Sequence, residues 1–159
     1  MKAIETSYKN IIFRSNLEAS YAKTFDSLGI EWEYEIEGYQ IDDIRYLPDF
    51  WLPQIKTVLE VKGPLVPGAE KAEALAKSIK NPDWWNQKIL VLIGDEKGSI
   101  KLAEDRTDVA LAQCAECDKY WFMPWSSSYV CRNCGKCDGD HHIKKSYDKL
   151  TLQRIKIRR

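Results

Sequence analysis

The chain is predicted to be an α/β protein with a mixed central sheet and a small cysteine-rich module on its C-terminal side. Two apolar runs, 46–53 and 58–63, flank a short polar connection, as in an antiparallel hairpin. A helical stretch then precedes a continuous apolar run at 88–94, which is typical of a strand that joins a sheet in parallel through a helical crossover. All five cysteines lie between Cys114 and Cys137.

Composition and charge limit the class of protein. The 159 residues are 44% hydrophobic, which is enough for a packed core, and no run reaches the roughly 20 apolar residues of a membrane-spanning helix. Residues 1–6 lack the apolar run of a secretory signal, so we expect a cytoplasmic protein without a membrane partner. Acids predominate in 26–60 and bases in the tail 141–159. This basic tail either contacts phosphate or is simply solvated.

The first predicted helix begins after Ser15 and ends at Gly29. Apolar residues follow Ser15 at helical spacing, and glycine is the residue that most often ends a helix. Glu18 has two interpretations. It either closes a capping box with Ser15 or directs its carboxylate into a functional site, where Arg14 would contact phosphate.

Residues 31–37 alternate acids with aromatic or aliphatic side chains, which is the period of a half-buried strand. One face is expected in the core and the acidic face in solvent. Glu35 would lie near the acids of the next hairpin if this strand neighbours it. Residues 38–45 are expected to be a connection between the two.

The following hairpin carries charge within an apolar pattern. A two-residue loop at 54–55 sets a register in which Asp49 faces Glu60. Two ionised carboxylates in such positions destabilise a sheet unless a cation lies between them, and hard ions such as Mg²⁺ take oxygen ligands of this kind. Lys62 lies two residues after Glu60, so its ammonium should occupy the same face as both acids.

Residues 69–79 are predicted to form an alanine-rich amphipathic helix. Its Lys71 and Lys77 face either DNA or water. The polar stretch 95–108 is then expected to form an edge hairpin that completes a first domain, 1–108.

Two CxxC motifs in the segment 109–140 predict a closed zinc site. Each motif places two thiolates on a tight turn, and two such turns complete a tetrahedron, whereas disulfides are rare in the cytosol. So short a segment buries little core, so zinc would supply much of its folding free energy. Cys137, His141 and His142 exceed the four ligands that a zinc site needs. An alternative site, with Cys137 in place of Cys134 or a histidine in place of a cysteine, is less favoured because the two CxxC motifs already supply four ligands. The expected zinc ligands are Cys114, Cys117, Cys131 and Cys134.

These residues together resemble the PD-(D/E)XK nuclease superfamily, in its small bacterial and phage type with a C-terminal zinc ribbon. Pro48-Asp49, ten intervening residues and Glu60-Val61-Lys62 match its motif. Glu18 on the preceding helix matches its accessory acid, which favours the functional interpretation of that residue. The order of elements over residues 11–95 is similar to the restriction-endonuclease-like αβββαβ core.

The resemblance implies an endodeoxyribonuclease that depends on Mg²⁺ or Mn²⁺. Asp49, Glu60 and the backbone carbonyl of Val61 would hold one or two such ions, and Glu18 would complete or orient the site. Lys62 would position the attacking water, help to deprotonate it, or stabilise charge at phosphorus. The implied partner is DNA, and a cut through both strands would require a homodimer. The side chains assigned to DNA contact are Arg14, Lys71, Lys77, Lys144 and Lys145.

A second hypothesis belongs to another class of protein. A nuclease-like core could serve as a non-cleaving module that binds nucleic acid or protein, such as an inhibitor or adaptor. A third possibility is that the acidic face 31–43 serves as a protein-docking or DNA-mimicking surface. Asp49, Glu60 and Lys62 favour the enzyme, because a binding module gains nothing from a destabilising pair of acids. The form of DNA that is cut stays open.

Overall fold

The computed structural model describes residues 4–35, 38–62, 70–79, 89–114 and 116–124. Within these ranges the protein has the predicted α/β class, with a mixed seven-stranded sheet and two α-helices. Neither of these helices has the length and apolar character needed to cross a membrane. Several sequence predictions lie outside the described residues, namely those for Cys131, Cys134, Cys137, His141, His142 and the basic tail 141–159 with Lys144 and Lys145.

The helices and strands, in chain order, are β1 Thr6–Tyr8, β2 Ile11–Phe13, α1 Asn16–Leu28, β3 Glu33–Tyr34, β4 Tyr39–Ile41, β5 Ile44–Tyr46, β6 Phe50–Leu52, β7 Thr57–Val61, α2 Glu70–Ser78, β8 Leu90–Gly94, β9 Ile100–Leu102, β10 Asp108–Gln113 and β11 Tyr120–Pro124. The main sheet has the strand order β11-β10-β9-β8-β7-β6-β3, in which β7 and β8 are parallel and the other pairs antiparallel. The predicted order of helix, three strands, helix and strand is found along the chain as α1, β3, β6, β7, α2 and β8.

Helix α1 begins and ends where the sequence predicted. The Ser15 hydroxyl oxygen accepts a hydrogen bond from the Glu18 backbone N–H at 3.1 Å, and its O–H donates to Glu18 Oε2 at 2.7 Å. Gly29 ends the helix with a φ of 71°, a left-handed conformation that costs glycine little. The buried face of α1 brings Phe25 against Phe50 of β6, with ring centroids 5.5 Å apart.

The two helices pack on opposite faces of the sheet. Side chains alternate along β7, so Leu59 belongs to the core cluster beneath α1 while Val58 belongs to a second cluster with Ala72 and Leu75 of α2. All five residues of β7 are therefore buried. A polar side chain in this strand lies in the interior of the protein, which is the situation of Glu60.

The hairpin of β6 and β7 has the predicted register but a different turn. Phe50 pairs with Leu59 and Leu52 pairs with Thr57, which is the register that sets Asp49 opposite Glu60. The two-residue loop predicted at 54–55 is wrong, because Pro53–Ile55 form a 3₁₀ turn and Lys56 is left-handed with a φ of 47°. The longer connection adds one residue on each side, so the pairing is unchanged.

Two N-terminal regions differ from the sequence prediction. Residues 38–45 were predicted to be a connection, but β4 and β5 form a hairpin around Asp42, whose φ is 52°. Tyr46 therefore ends β5, although the sequence assigned it to the strand of Asp49. A further hairpin, β1 and β2, precedes α1 and was not predicted.

The predicted strand over 31–37 is shorter than expected. Strand β3 spans only Glu33–Tyr34, and the left-handed Glu35, with a φ of 51°, ends it. Residues 36–37 lie outside the described residues.

The main sheet continues past residue 108, where the sequence placed a domain boundary. Strand β9 lies within the polar stretch 95–108 and pairs with β10, and β10 pairs with β11. The first CxxC motif, with Cys114 and Cys117, lies between β10 and β11. This half of the predicted zinc ribbon is therefore continuous with the main sheet, because the strands on either side of it, β10 and β11, belong to that sheet.

Gly94 of β8 lies where a side chain would collide with helix α1. A Cβ atom at this position would be 2.6 Å from the hydroxyl oxygen of Tyr21, which is buried and donates to the Asp95 carbonyl at 2.6 Å. We expect Gly94→Ala to lower the free energy of unfolding by about 1–3 kcal/mol, as overpacking of a core does. Urea unfolding measures this change. Gly38→Ala is the control, since the nearest atom there is 4.0 Å away, and equal losses in both variants would contradict the packing argument.

Candidate metal centre

Acidic side chains from separate elements meet around Asp49. Glu18 comes from the first turn of α1, Glu35 follows β3, Asp49 precedes β6, and Glu60 lies in β7. Carboxylate oxygens of Glu18, Glu35 and Asp49 all lie within 4.8 Å of one another. Glu18, Asp49 and Glu60 are only 6%, 8% and 8% exposed. The structure therefore places Glu18 and Glu35 beside Asp49, so Glu35 does lie near an acid of the hairpin. Glu60 is outside this close group and lines the same cleft as Asp49.

Backbone pairing positions Asp49 at the centre of this group. The Glu35 N–H donates to the Asp49 carbonyl at 3.0 Å, next to the pairing of β3 with β6. On the other side, the Val61 N–H donates to Asp49 Oδ2 at 2.8 Å. Asp49 is thus held between β3 and β7. Val61 contacts the site through its N–H, and the metal-binding role expected of its carbonyl stays a prediction.

Glu18 takes part in both of the arrangements that the sequence left open. Its Oε2 accepts from the Ser15 hydroxyl, as a helix cap does, and its Oε1 accepts from the Tyr34 hydroxyl at 2.8 Å. The same carboxylate is a neighbour of Asp49. The capping interaction therefore orients the acid toward the cluster.

Glu60 has two different donors. Its Oε2 accepts from the Tyr46 hydroxyl at 2.6 Å, and its Oε1 lies 3.1 Å from the Lys62 ammonium nitrogen. This ion pair confirms that Lys62 lies on the same face as Glu60, as the period of a strand requires. Tyr46 was not identified from the sequence as part of the site.

Glu35 is paired with Arg14 by charge alone. Arg14 Nε lies 2.8 Å from Glu35 Oε1, yet this buried oxygen accepts no well-formed hydrogen bond from the described residues. The Arg14 side chain is exposed, so its guanidinium stays solvated if the ion pair with Glu35 opens. Its contact with Glu35 places the predicted phosphate contact at the edge of the acid cluster.

Burial and the neighbouring carboxylates change the ionisation of this cluster. Desolvation, followed by the charges of Glu60 and Glu18, raises the pKa of Asp49 well above the ordinary range of an aspartate. Burial, with the charges of their acceptor acids, also raises the pKa values of Tyr34 and Tyr46. Both tyrosines therefore keep the protons that they donate. Without a cation, the site reduces its repulsion by holding a proton on Asp49.

The donor set fits a hard divalent cation. The three carboxylates that lie within 4.8 Å of one another supply oxygen ligands, which Mg²⁺ and Mn²⁺ prefer and which soft metals do not select. A cation among them would replace the proton on Asp49 and remove the repulsion that raises its pKa.

An open cleft of about 750 Å³ leads to Asp49 and Glu60. Arg14 and Lys71, which the sequence assigned to DNA contact, line it, whereas Lys77 is exposed on α2 and does not. Arg45 was missed, and its signal was that it is a rare base in the acid-rich stretch 26–60. Among the residues that the structure describes, the basic side chains lining the cleft are Arg14, Arg45, Lys62 and Lys71.

The first half of the predicted zinc site lies in the turn from β10 to β11. The Asp118 N–H donates to the Cys114 carbonyl at 2.9 Å, and the Cys114 N–H donates to the Lys119 carbonyl at 3.0 Å. Cys114 is buried and Cys117 is half-buried. These two hydrogen bonds close a tight turn, as the sequence predicted for the first CxxC motif. The complete tetrahedral site stays a prediction, because Cys131 and Cys134 lie outside the described residues.

The charge state of Asp49 predicts how the stability of the metal-free protein depends on pH. Because the folded-state pKa of Asp49 is raised, its contribution to stability is present below the ordinary aspartate pKa and is lost as the pH rises through the folded-state value. At about pH 8, metal-free Asp49→Asn should therefore be more stable than the wild type by at least about 1 kcal/mol, the value of one pKa unit. Thermal melts at about pH 5 and pH 8 measure the difference.

The exposed Asp42→Asn is the matched control for that experiment and should change little. Addition of Mg²⁺ should raise the melting temperature of the wild type more than that of Asp49→Asn, because binding stabilises only a folded site. A wild type that is as stable as Asp49→Asn at both pH values would contradict the repulsion argument.

The two CxxC motifs predict the zinc content of the purified protein. Protein purified without a chelator should contain about one zinc per chain, as measured by elemental mass spectrometry. Cys114→Ser should remove the zinc and lower the melting temperature, because the ligand lies next to a strand of the main sheet. Cys137→Ser is the control and should keep the zinc. Wild-type protein without zinc would refute the assignment.

Comparisons of the chain with protein-family models, with curated proteins and with solved structures found no match.

Proposed function

We propose that the protein is a metal-dependent endodeoxyribonuclease that hydrolyses DNA phosphodiester bonds with Mg²⁺ or Mn²⁺. The observation that carries the proposal is the convergence of Asp49, Glu60 and Lys62 at one cleft. The Lys62 ammonium lies 3.1 Å from Glu60, beside an aspartate whose pKa is raised by burial and by its acidic neighbours. A site of this composition, with cation-binding carboxylates next to a positively charged donor, suits metal-dependent hydrolysis of a phosphodiester.

The fold supports the proposal by its order of elements. Helix α1 supplies Glu18, the antiparallel pair β6 and β7 supplies Asp49 and Glu60, and the crossover through α2 adds β8 in parallel. This order supports the resemblance to the restriction-endonuclease-like core of the PD-(D/E)XK superfamily.

The charges of the cleft support a phosphate-bearing substrate. Arg14, Arg45 and Lys71 come from three different parts of the chain and line the same cleft. Basic side chains of this kind hold the nucleic-acid backbone and fix its position without reading its sequence. The acids beneath them would repel a phosphate unless a cation neutralised them, so the proposed substrate and the proposed cation depend on each other.

The residues have distinct roles in the proposed reaction. Asp49 and Glu60 would hold the cation, with Glu18 or Glu35 able to add an oxygen. A cation bound there activates water for attack and neutralises the charge that develops on the phosphate. Lys62 has three N–H donors and engages Glu60 with one, which leaves donors for the attacking water and for a phosphate oxygen. The phosphorus–oxygen bond of the leaving strand breaks as the water oxygen bonds to phosphorus.

The alternative is a module that binds nucleic acid or protein without cleaving it. Part of the acidic stretch 31–43 is exposed at Asp42 and Asp43, as a docking surface would require, but Glu35 belongs to the buried cluster. Glu18, Asp49 and Glu60 are buried, and buried acids of this kind destabilise a protein and are typical of a catalytic site.

A cleavage assay tests the proposal. Purified protein would be incubated with supercoiled plasmid and with linear, nicked, branched and single-stranded DNA, in the presence of Mg²⁺ or Mn²⁺. We expect cleavage of at least one form, and we expect Asp49→Ala to lower the rate at least about a hundredfold, which equals about 2.7 kcal/mol of lost transition-state stabilisation. Lys62→Ala should also lower the rate strongly.

Asp42→Ala is the matched control, because Asp42 is an exposed acid in the neighbouring hairpin. It should cleave at the wild-type rate. Absence of cleavage on every form of DNA with both cations would reject the enzyme, and activity that survives in Asp49→Ala would reject the assigned site. Gel filtration with DNA reports whether two copies assemble for a cut through both strands.

A further inference from the structure

We propose that Tyr46 is a positioning residue that holds the Glu60 carboxylate in the orientation that binds the cation. The inference rests on the proposed function for the identity of the site. Tyr46 ends β5, and its hydroxyl donates to Glu60 Oε2 at 2.6 Å. Tyr46 is only 5% exposed, although it lines the cleft, so the protein packs around most of its surface.

Tyr46 and Lys62 act on different oxygens of Glu60. The hydroxyl of Tyr46 engages Oε2, while the Lys62 ammonium lies 3.1 Å from Oε1. A carboxylate offers about four lone-pair directions, so each oxygen keeps one for a cation. The terminal torsion of glutamate is broad. Without the tyrosine hydroxyl, Glu60 could therefore turn both oxygens toward Lys62 and away from Asp49.

The ring of Tyr46 is fixed by packing that does not involve the site. It belongs to a core cluster with Val58, Ala72 and Leu75, and β5 is paired with β4. A donor held in this way cannot follow Glu60 if the carboxylate rotates. Residues that orient a metal ligand from behind typically change metal affinity or activity by about 10- to 100-fold when they are removed.

Glu18 has a similar tyrosine donor but depends on it less. Tyr34 donates to Glu18 at 2.8 Å, yet Ser15 donates to the other oxygen of the same carboxylate. Glu60 has only Tyr46 to oppose the attraction of Lys62 among the residues that the structure describes. The tyrosine of β5 is therefore the one whose hydroxyl decides the geometry of a ligand.

The experiment compares Tyr46→Phe with the wild type and with Tyr8→Phe. Phenylalanine keeps the packed ring and removes the hydroxyl. Tyr8 is a matched control, because its hydroxyl donates to Asp26, which does not line the cleft. Calorimetry without DNA would measure Mn²⁺ affinity, and cleavage at a series of Mn²⁺ concentrations would give the half-saturating value.

We expect Tyr46→Phe to weaken Mn²⁺ binding about 10- to 100-fold and to raise the half-saturating concentration by a similar factor. The KM for DNA at saturating Mn²⁺ should change by less than about twofold, because Tyr46 is only 5% exposed where it lines the cleft and its hydroxyl is engaged by Glu60. Tyr8→Phe should resemble the wild type. A thermal melt of Tyr46→Phe under the titration conditions is part of the experiment, because an unfolding equilibrium would by itself weaken the apparent Mn²⁺ affinity. A variant that is fully folded and still binds Mn²⁺ more weakly supports the inference.

The possible results separate this inference from the proposed function. Wild-type cleavage with an unchanged Mn²⁺ affinity in Tyr46→Phe would overturn the positioning role and leave the nuclease. A wild type that binds Mn²⁺ without cleaving DNA, and binds it more weakly as Tyr46→Phe, would support the positioning role and overturn the nuclease. A wild type that neither binds Mn²⁺ nor cleaves would overturn both.

Discussion

The repulsion among the carboxylates buried around Asp49 is the constraint on which the rest of the site depends. Such a group is stable only if each acid has a donor or shares a proton, because an unpaired buried charge costs several kcal/mol. Three of the four acids have a hydrogen-bond donor: the Val61 N–H for Asp49, the Tyr34 hydroxyl for Glu18, and the Tyr46 hydroxyl for Glu60. Glu35 is paired by charge with the Arg14 guanidinium. These donors orient the acids but leave their like charges close together, so a cation still has a strong reason to bind.

The sheet explains how acids can occupy the interior at all. Strand β7 lies between β6 and β8 and is buried on both faces, with Leu59 under α1 and Val58 under α2. Glu60 follows the period of Val58 and reaches the α2 side, where the cleft opens beside that helix. Packing on both faces holds this strand rigidly, and a rigid support is what a site with closely spaced ligands requires.

The sequence predicted the parts of the site that depend on local pattern. The cap at Ser15 predicted the position of Glu18 in the first turn of α1, and the two-residue period after Glu60 predicted the face of Lys62, because caps and strand periods are set by neighbouring residues. The site role of Glu18 was predicted from the resemblance. Tyr46 could not be found in this way. The strands β4 and β5 have three residues each, too few to show a period, and the turn at Asp42 has no glycine to signal it. Its contact with Glu60 arises only when the hairpin packs on α2, which no local pattern records.

Anomalous scattering from crystals soaked in Mn²⁺ would show whether Asp49 and Glu60 hold a divalent cation. We expect an anomalous peak at about 2.1 Å from oxygens of both carboxylates, the distance typical of a small hard cation. The same crystals of Asp49→Ala should lack it. Wild-type crystals with no anomalous peak at these acids, or with Mn²⁺ bound only elsewhere, would contradict the account.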